Sequence, residues 1–144
     1  MVDASTGEII QRLSAHEGIA YSCDYSPNGK WLASGSWDTT VRLWDHDGNL
    51  IETLRGHSSI VLSVQFSPDG RFLASGSADG TVALWNVEER RRLSVIPGQG
   101  AWVHSVAFTP DSSAIAVRTV EGTVTLWSLG HSNARQLTGH TKEL

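Results

Sequence analysis

Cysteine is nearly absent from this chain: Cys23 is the only one in 144 residues, so no disulfide can form within it. No apolar run reaches the length of about 18 residues that a membrane-spanning helix needs. The N-terminus also lacks a basic region followed by an apolar stretch, so no signal peptide is expected. These absences favour a cytoplasmic protein, in which we expect Cys23 to be a small core residue.

Charge is scarce as well, at 18% of residues with a net charge of −4. The one basic run, 90–92, directly follows the acidic pair 88–89, which indicates a solvated loop and strand edge. Nucleic acid is therefore not expected as a partner, because a phosphate-binding surface needs a broad basic face. Low charge with 40% hydrophobic residues favours a single domain, 1–144, with many strands buried on both faces.

What the chain does contain is one pattern written three times. The middle copy has Gly-His at 56–57, Ser-Pro-Asp-Gly at 67–70, Ser-Gly-Ser-Ala-Asp-Gly at 75–80 and Leu-Trp-Asn at 84–86. The flanking copies keep most of these landmarks in the same order, and the closing tryptophans are Trp44, Trp85 and Trp127. A repeat of about 40–45 residues with such an opening and close is typical of a four-stranded β-propeller blade.

On these motifs the chain resembles the WD-repeat family over essentially its whole length. The resemblance implies an all-β fold, a WD-repeat propeller of three four-stranded antiparallel blades. The expected parts are blade 1 at 14–55, blade 2 at 56–96, blade 3 at 97–137, and partial repeats at 1–13 and 138–144. Segment 8–13 matches the fourth, outer strand of a further blade, so a spare N-terminal strand is expected there.

Turn chemistry predicts where the strands end, because proline presets φ and glycine accepts the positive φ that other residues resist. The predicted strands are 19–25, 31–35, 40–45 and 50–54 in blade 1, 60–66, 72–77, 81–86 and 92–96 in blade 2, and 102–108, 114–118, 123–128 and 134–137 in blade 3. No helix is expected. Continuous apolar stretches such as 60–62 favour strands that are buried on both faces.

Three blades cannot close a propeller, which typically has about 4 to 8. An open stack leaves the apolar faces of its terminal blades in water, and we identify no polar capping repeat. The sequence therefore predicts a ring completed by self-association into a dimer or trimer, by another chain, or by missing sequence of a longer protein.

Serine, histidine and an acid recur together, which suggests a catalytic triad. The family resemblance implies instead a buried hydrogen-bond chain from the acid through histidine and hydroxyl to an indole N–H. Its expected members are His16, Ser34 (or Ser36), Asp38 and Trp44 in blade 1, His57, Ser75 (or, less favoured, Ser77), Asp79 and Trp85 in blade 2, and Glu121 and Trp127 in blade 3. A buried indole N–H needs an acceptor, and a nucleophile is not expected once per blade, so we predict a structural role and no enzyme.

Blade 3 departs from the pattern at four positions. Gln99 stands in place of the histidine, Val117 of the first serine, Arg118 of the glycine and Glu121 of the aspartate, while Thr119 and Trp127 remain. The network of blade 3 is therefore expected to be incomplete. Nothing in the sequence indicates whether Arg118 faces a neighbour or solvent.

No metal or cofactor is predicted. His46, His104 and His131 lack the spacing to cysteines or carboxylates that a zinc site needs. No glycine-rich loop leads from a strand into a helix, so nucleotide binding has no support.

Ligands of the resembled family usually meet the narrower top face of the propeller. The resemblance implies that this face carries Ile19, Tyr21 and Trp37, then Ile60, Leu62 and Ala78, then Trp102, His104 and Val120. The predicted partner-binding set is Tyr21, Trp37, Leu62, Trp102 and His104, and aromatic anchors are typical of binding hot spots. The alternative is that Ile19 and Ile60 pack at the blade edges and Trp102 supports a loop.

The leading hypothesis is a non-enzymatic scaffold that binds a protein or peptide on the top face. A second hypothesis is an incomplete propeller part, such as a sensor or structural component, that functions only when another chain completes it. A third, a propeller enzyme, needs convergent carboxylates or metal ligands around the central channel, and the sequence offers no such set.

Overall fold

A computed structural model of the chain describes residues 5–7, 11–97 and 99–130, together with the backbone of 134–140. Within these ranges all regular structure is β, which confirms the predicted fold class. The strands form three antiparallel sheets of four, each in sequential order, which we call blades 1, 2 and 3. No helix long and apolar enough to cross a membrane occurs in this part of the chain.

The observed strand bounds agree closely with those predicted from the turn residues. Blade 1 is β1 Ala20–Tyr25, β2 Trp31–Ser36, β3 Val41–Asp45 and β4 Leu50–Leu54; blade 2 is β5 Val61–Phe66, β6 Phe72–Ser77, β7 Val82–Asn86 and β8 Arg91–Ile96; blade 3 is β9 Val103–Phe108, β10 Ala114–Thr119, β11 Val124–Leu129 and β12 Ala134–His140. Only β12 differs from its predicted bounds by more than one residue. Its extension means that Gly139 and His140, expected to open another repeat, pair with β11 instead.

The spare N-terminal strand expected at 8–13 is not found where the chain can be described. Residues 8–10 lie outside the described residues, and 11–13 are described without strand structure. A β-strand needs a hydrogen-bonded neighbour, and the third strand that would supply one is not part of the described chain. Gln11 lies instead against Gly48, in the turn between β3 and β4.

The blades pack face to face in series, and two cores lie between them. We call the side of a blade that contacts the preceding blade its entry face, and the side that contacts the following blade its exit face. Gly35, on the exit face of blade 1, lies so close to the entry face of blade 2 that an added Cβ would be 2.6 Å from Val61 Cγ1. Gly76 repeats this contact, with its added Cβ 2.5 Å from Val103 Cγ1. Glycine at this position therefore sets the spacing between neighbouring blades.

Hydrogen bonds also join the innermost strands of neighbouring blades. The backbone N–H groups of Val64 and Phe66 in β5 donate to Ser22 Oγ and Asp24 Oδ2 in β1, at 3.1 and 2.8 Å. The same arrangement links blades 2 and 3. There, Val106 donates to Ser63 Oγ at 3.2 Å and Phe108 to Gln65 Oε1 at 2.7 Å. Each inner strand thus offers side-chain acceptors to the backbone of the next.

The prediction that Cys23 is a core residue is wrong, because its side chain is exposed. Cys23 occupies the entry-face position that Val64 and Val106 hold in the other blades, where each is 4% exposed. Tyr25 is likewise 46% exposed, although its counterpart Phe66 is 4% exposed. No described blade precedes blade 1, so Cys23 and Tyr25 lack the neighbouring blade that covers Val64 and Phe66.

Candidate functional site

The recurrent polar residues of blade 2 form one continuous hydrogen-bond chain. Trp85 Nε1 donates to Ser75 Oγ at 2.9 Å, Ser75 Oγ lies 2.8 Å from His57 Nε2, and His57 Nδ1 lies 2.9 Å from Asp79 Oδ2. A neutral imidazole protonated on Nδ1 satisfies every contact, since it accepts the Ser75 proton and donates to Asp79. The chain ties the loop before β5 to the turn between β6 and β7.

Blade 1 repeats this chain atom for atom. Trp44 Nε1 donates to Ser34 Oγ at 3.0 Å, His16 Nε2 lies 2.7 Å from that oxygen, and His16 Nδ1 lies 2.9 Å from Asp38 Oδ2. The alternative serines act elsewhere: Ser36 Oγ and Ser77 Oγ each accept the backbone N–H of the turn aspartate at 3.1 Å.

Sequence reasoning missed one further member, a threonine. Thr40 Oγ1 donates to Asp38 Oδ1 at 2.6 Å, and Thr81 Oγ1 donates to Asp79 Oδ1 at 2.7 Å. The signal was present, because a threonine follows the acid by two positions in all three copies. The third is Thr123.

The two turn aspartates have pKa values below the ordinary range. Burial alone would raise the pKa of Asp79, but hydrogen bonds from Thr81, from His57 and from the backbone N–H of Ser58 stabilise the carboxylate more strongly and lower it. The pKa of Asp38 is lowered by the same balance, with Thr40 and His16 as the main donors. Both groups are therefore carboxylates at neutral pH.

The order of groups matches that of a Ser-His-Asp triad, yet the serine cannot meet a substrate. Ser75 is completely buried, and Ser34 is 8% exposed. Each Oγ is also held between the imidazole and an indole whose N–H donates to it, inside the blade. The geometry thus fits a satisfied structural network and provides no accessible nucleophile.

Blade 3 has no such chain, and the expectation that Glu121 and Trp127 belong to one is wrong. Trp127 Nε1 and Thr119 Oγ1 are buried without a hydrogen-bond partner. Val117 occupies the position of the accepting serine, and a valine side chain has no acceptor. Glu121 is exposed, and Gln99 donates instead to the carbonyl oxygen of Pro97 at 2.6 Å.

No group of three or more potential metal ligands occurs among the described residues. The arginines of the basic run are engaged separately: Arg91 Nε pairs with Glu89, and Arg90 lies over the Trp31 ring of blade 1, with Cζ 5.7 Å from its centroid. The run therefore does not present one continuous basic surface.

The predicted top-face residues lie at one edge of each blade, where a repeated backbone hydrogen bond fixes them. The N–H of Trp37 donates to the carbonyl of Ile19 at 2.9 Å. The equivalent bonds join Ala78 to Ile60 at 2.9 Å and Val120 to Trp102 at 3.0 Å. Each bond holds the loop before the first strand against the turn between the second and third strands.

Exposure along this edge is greatest on the outer blades. In blade 1, Ile19 is 61% and Trp37 53% exposed, and in blade 3, Trp102 is 53% and Val120 52% exposed. The equivalent residues of blade 2, Ile60, Leu62 and Ala78, are half-buried and therefore less exposed. Tyr21 is also exposed, and its ring centroid lies 6.4 Å from that of Trp37 with the planes tilted by 34°. His104 is exposed as well.

The family model described as "WD domain, G-beta repeat" matches residues 7–45, 48–86 and 90–128. The second and third matches each begin with the outer strand of one blade and end at the third strand of the next. The sequence repeat is therefore offset by one strand from the structural blade.

Curated relatives match over short stretches. Periodic tryptophan protein 2 homolog of Schizosaccharomyces pombe is 47% identical over 45 residues, which is 31% of this chain and 5% of the relative. U3 small nucleolar RNA-associated protein 21 of Saccharomyces cerevisiae is 38% identical over the same shares of each chain. GATOR2 complex protein Wdr24 of Drosophila melanogaster is 43% identical over 37 residues, or 26% of this chain and 5% of the relative.

The aligned stretches thus span about 5% of the length of these curated relatives. The family model, in contrast, covers well over half of the chain. The three sheets, their strand order and the buried acid–histidine–serine–tryptophan chains of blades 1 and 2 agree with that match. The chain belongs to the WD40 repeat family.

Proposed function

We propose that this chain is a non-enzymatic interaction scaffold that binds a protein or peptide segment on its top face. The observation that carries the proposal is the exposure of aromatic side chains at the top of both outer blades. Trp37 and Trp102 are each 53% exposed, although tryptophan is usually largely buried. Large aromatic side chains on a rigid edge are typical hot-spot residues.

The rigidity of that edge supports the same proposal. Trp37 and Trp102 belong to paired loops that a backbone hydrogen bond joins in each blade. A side chain on a fixed backbone loses less conformational entropy when it binds, so more of its contact energy remains as affinity. One relative is named as a complex protein, which supports an interaction role.

The test uses a displayed library of random peptides, selected on the immobilised wild-type chain. Enriched peptides are then measured against the double variant Trp37→Ala/Trp102→Ala. We expect their affinity to fall at least about tenfold, because the double variant removes two hot-spot side chains that contribute more than about 1 kcal/mol each. Leu93→Ala is the matched control, since Leu93 is a 38% exposed apolar residue on outer strand β8.

Circular dichroism and the midpoint of thermal unfolding establish that both variants remain folded. Equal binding of the enriched peptides by wild type and the double variant would overturn the proposed top-face site. Loss of binding in Leu93→Ala alone would move the site to the outer edge of blade 2 and would also overturn it.

We also propose that other blades cover the two outer faces of the stack. Tyr25 on the entry face of blade 1 and Leu126 on the exit face of blade 3 are 46% and 39% exposed. Their counterparts between blades, Phe66 and Leu84, are 4% and 7% exposed. Self-association, another chain or further sequence of a longer protein would each cover these faces. A reducing compartment suits the exposed thiol of Cys23, so this proposal includes a cytoplasmic location.

A further inference from the structure

Each outer face of the three-blade stack carries an arginine at a strand position where the inner faces have a smaller residue. Arg118 lies on the exit face of blade 3, at the position of Gly35 and Gly76. Arg42 lies on the entry face of blade 1, where Ala83 occupies the equivalent position of blade 2 and Thr125 that of blade 3.

Arg118 prevents an ordinary blade from docking on blade 3. At Gly35 and Gly76 even a single added Cβ would lie 2.6 and 2.5 Å from a valine of the next blade. An arginine in that position excludes a blade that presents valine there in the same register, because the severe contact is with valine Cγ1, whereas an unbranched side chain can turn its Cγ away. The exit face of blade 3 therefore accepts something with different chemistry.

The charge of Arg118 indicates what that chemistry is. Its Nη2 donates to His104 Nδ1 at 2.8 Å, and no carboxylate pairs with it in the described part of the chain. Leu126 leaves an apolar surface on the same face, 39% exposed. Covering this face with an apolar partner would bury an unpaired cation, which is strongly unfavourable, whereas a carboxylate can pair with the guanidinium through two hydrogen bonds.

A second copy of the chain is a poor match for this face. Stacking two copies head to tail would bring Arg118 of one copy to the same interface as Arg42 of the next. Arg42 is 8% exposed, its Nη2 lies 3.8 Å from Asp38 Oδ2, and its Nε has no partner. Asp38 is thus already engaged by Arg42, and the residue that would face Arg118 is Ala20, which offers no carboxylate to pair with it.

Part of the ordinary docking chemistry is retained on blade 3. Ser105 occupies the position of Ser22 and Ser63, which accept a backbone N–H from the next inner strand. Ala107 replaces the second acceptor, which is Asp24 in blade 1 and Gln65 in blade 2. A strand that docks here can therefore make one of the two usual hydrogen bonds, and the arginine supplies the additional attraction.

We propose that the exit face of blade 3 docks a β-blade whose first strand carries a carboxylate near its upper end, opposite Arg118. The ion pair replaces the glycine–valine contact that joins the blades inside the chain. This surface is on the side of the stack and does not include Trp37 or Trp102, although Arg118 contacts His104 of the predicted top-face set.

The chain can serve as its own probe. Ala20 is exposed on β1 at the position of Val61 and Val103, so Ala20→Glu adds the required carboxylate to an entry face of known geometry. We expect wild type and the matched control Ala20→Gln to remain monomeric in light scattering. Ala20→Glu is expected to associate head to tail at least about tenfold more tightly than Ala20→Gln.

Two readouts identify the interface. Cys23, the single thiol, lies on the same entry face, so its reaction with a maleimide should slow when Ala20→Glu associates. Raising the salt concentration from about 0.05 M to about 0.5 M should reverse the association, because the pair is partly screened. Association of wild type with protected Cys23, equal association of Ala20→Gln and Ala20→Glu, or no association of Ala20→Glu would each overturn the proposal.

Two reciprocal variants separate charge-dependent docking from nonspecific association. Adding Arg118→Gly to Ala20→Glu should abolish association, and Arg118→Gly with Ala20→Val and Cys23→Val should restore it by recreating the contact seen at Gly35. Failure of either change would contradict the role given to Arg118. Trp37→Ala/Trp102→Ala should leave all these results unchanged, so this inference and the proposed function can fail independently.

Discussion

Blades 2 and 3 have the same four strands and the same register, yet they are held together differently. Blade 2 has a complete polar chain through His57, and its Gly76 contacts the next blade. Blade 3 has a buried indole N–H without a partner and an exposed arginine at the glycine position. The polar chain is therefore not required to form the blade; it stabilises a sheet that turn chemistry and apolar packing already specify.

The largest effect is expected from giving blade 2 the arginine of blade 3. Gly76→Arg should lower the free energy of unfolding by about 3 kcal/mol or more, because its Cβ alone would lie 2.5 Å from Val103 Cγ1. Urea unfolding measures the change. Arg118→Gly is the control and should cost less than about 1 kcal/mol, the usual cost of glycine in a strand. A tolerated Gly76→Arg would mean that blades 2 and 3 are not packed as described.

The next effect concerns the polar chain itself. His57→Ala should lower the free energy of unfolding by about 1–3 kcal/mol, because it removes the acceptor of the buried Ser75 hydroxyl and one of the donors to Asp79. Gln99→Ala, at the equivalent position of blade 3, should change it by less than about 0.5 kcal/mol. The thermal midpoint reports both, while the affinity of the folded protein for top-face peptides should stay the same. Lost affinity without lost stability would contradict the structural role.

Lowering the pH should also affect the contribution of blade 2 to stability more than that of blade 3. The pKa of Asp79 is lowered in the folded protein, so this group stabilises the fold above the unfolded pKa of about 3.9, and the stabilisation is lost as the pH falls below that value. Asp79→Asn should therefore flatten the dependence of unfolding free energy on pH below about 4. Glu121→Gln, which removes one negative charge at the exposed equivalent position of blade 3, is the control for net charge. Equal flattening by both variants would assign the effect to net charge.

The smallest effect repairs blade 3. Val117→Ser places a hydroxyl acceptor at the position of Ser75, within reach of the unpaired Trp127 Nε1. A restored hydrogen bond should contribute about 0.5–1.5 kcal/mol to the free energy of unfolding. The loss of the buried methyl groups offsets part of this gain. Val106→Ser is the control, since it removes the same methyl groups without an indole to satisfy and should only destabilise. Equal destabilisation by both would show that the indole gains no partner.

Local chemistry predicted the fold well. Strands that follow Ser-Pro-Asp-Gly or Ala-Asp-Gly turns were placed to within one residue, because proline and glycine restrict the backbone directly. The polar chains of blades 1 and 2 could also be inferred, since a buried indole and a buried imidazole each need a partner in a repeated position.

Properties that depend on neighbouring blades could not be predicted in this way. Cys23 was expected in the core because its strand resembles β5, but its burial depends on a blade packed against it. The same reason applies to segment 11–13, whose strand structure would depend on a neighbour. Arg118 could be identified as unusual, yet its contact with His104 required the bulged register of β9 and β10.

The one-strand offset between sequence repeat and blade has a consequence for how such chains change in length. The second and third repeats each supply the outer strand of one sheet and the three inner strands of the next. Duplicating or deleting one repeat within a gene therefore adds or removes a whole blade, and every sheet keeps four strands. Recombination between copies can thus vary blade number in single steps without passing through a protein that contains an incomplete sheet.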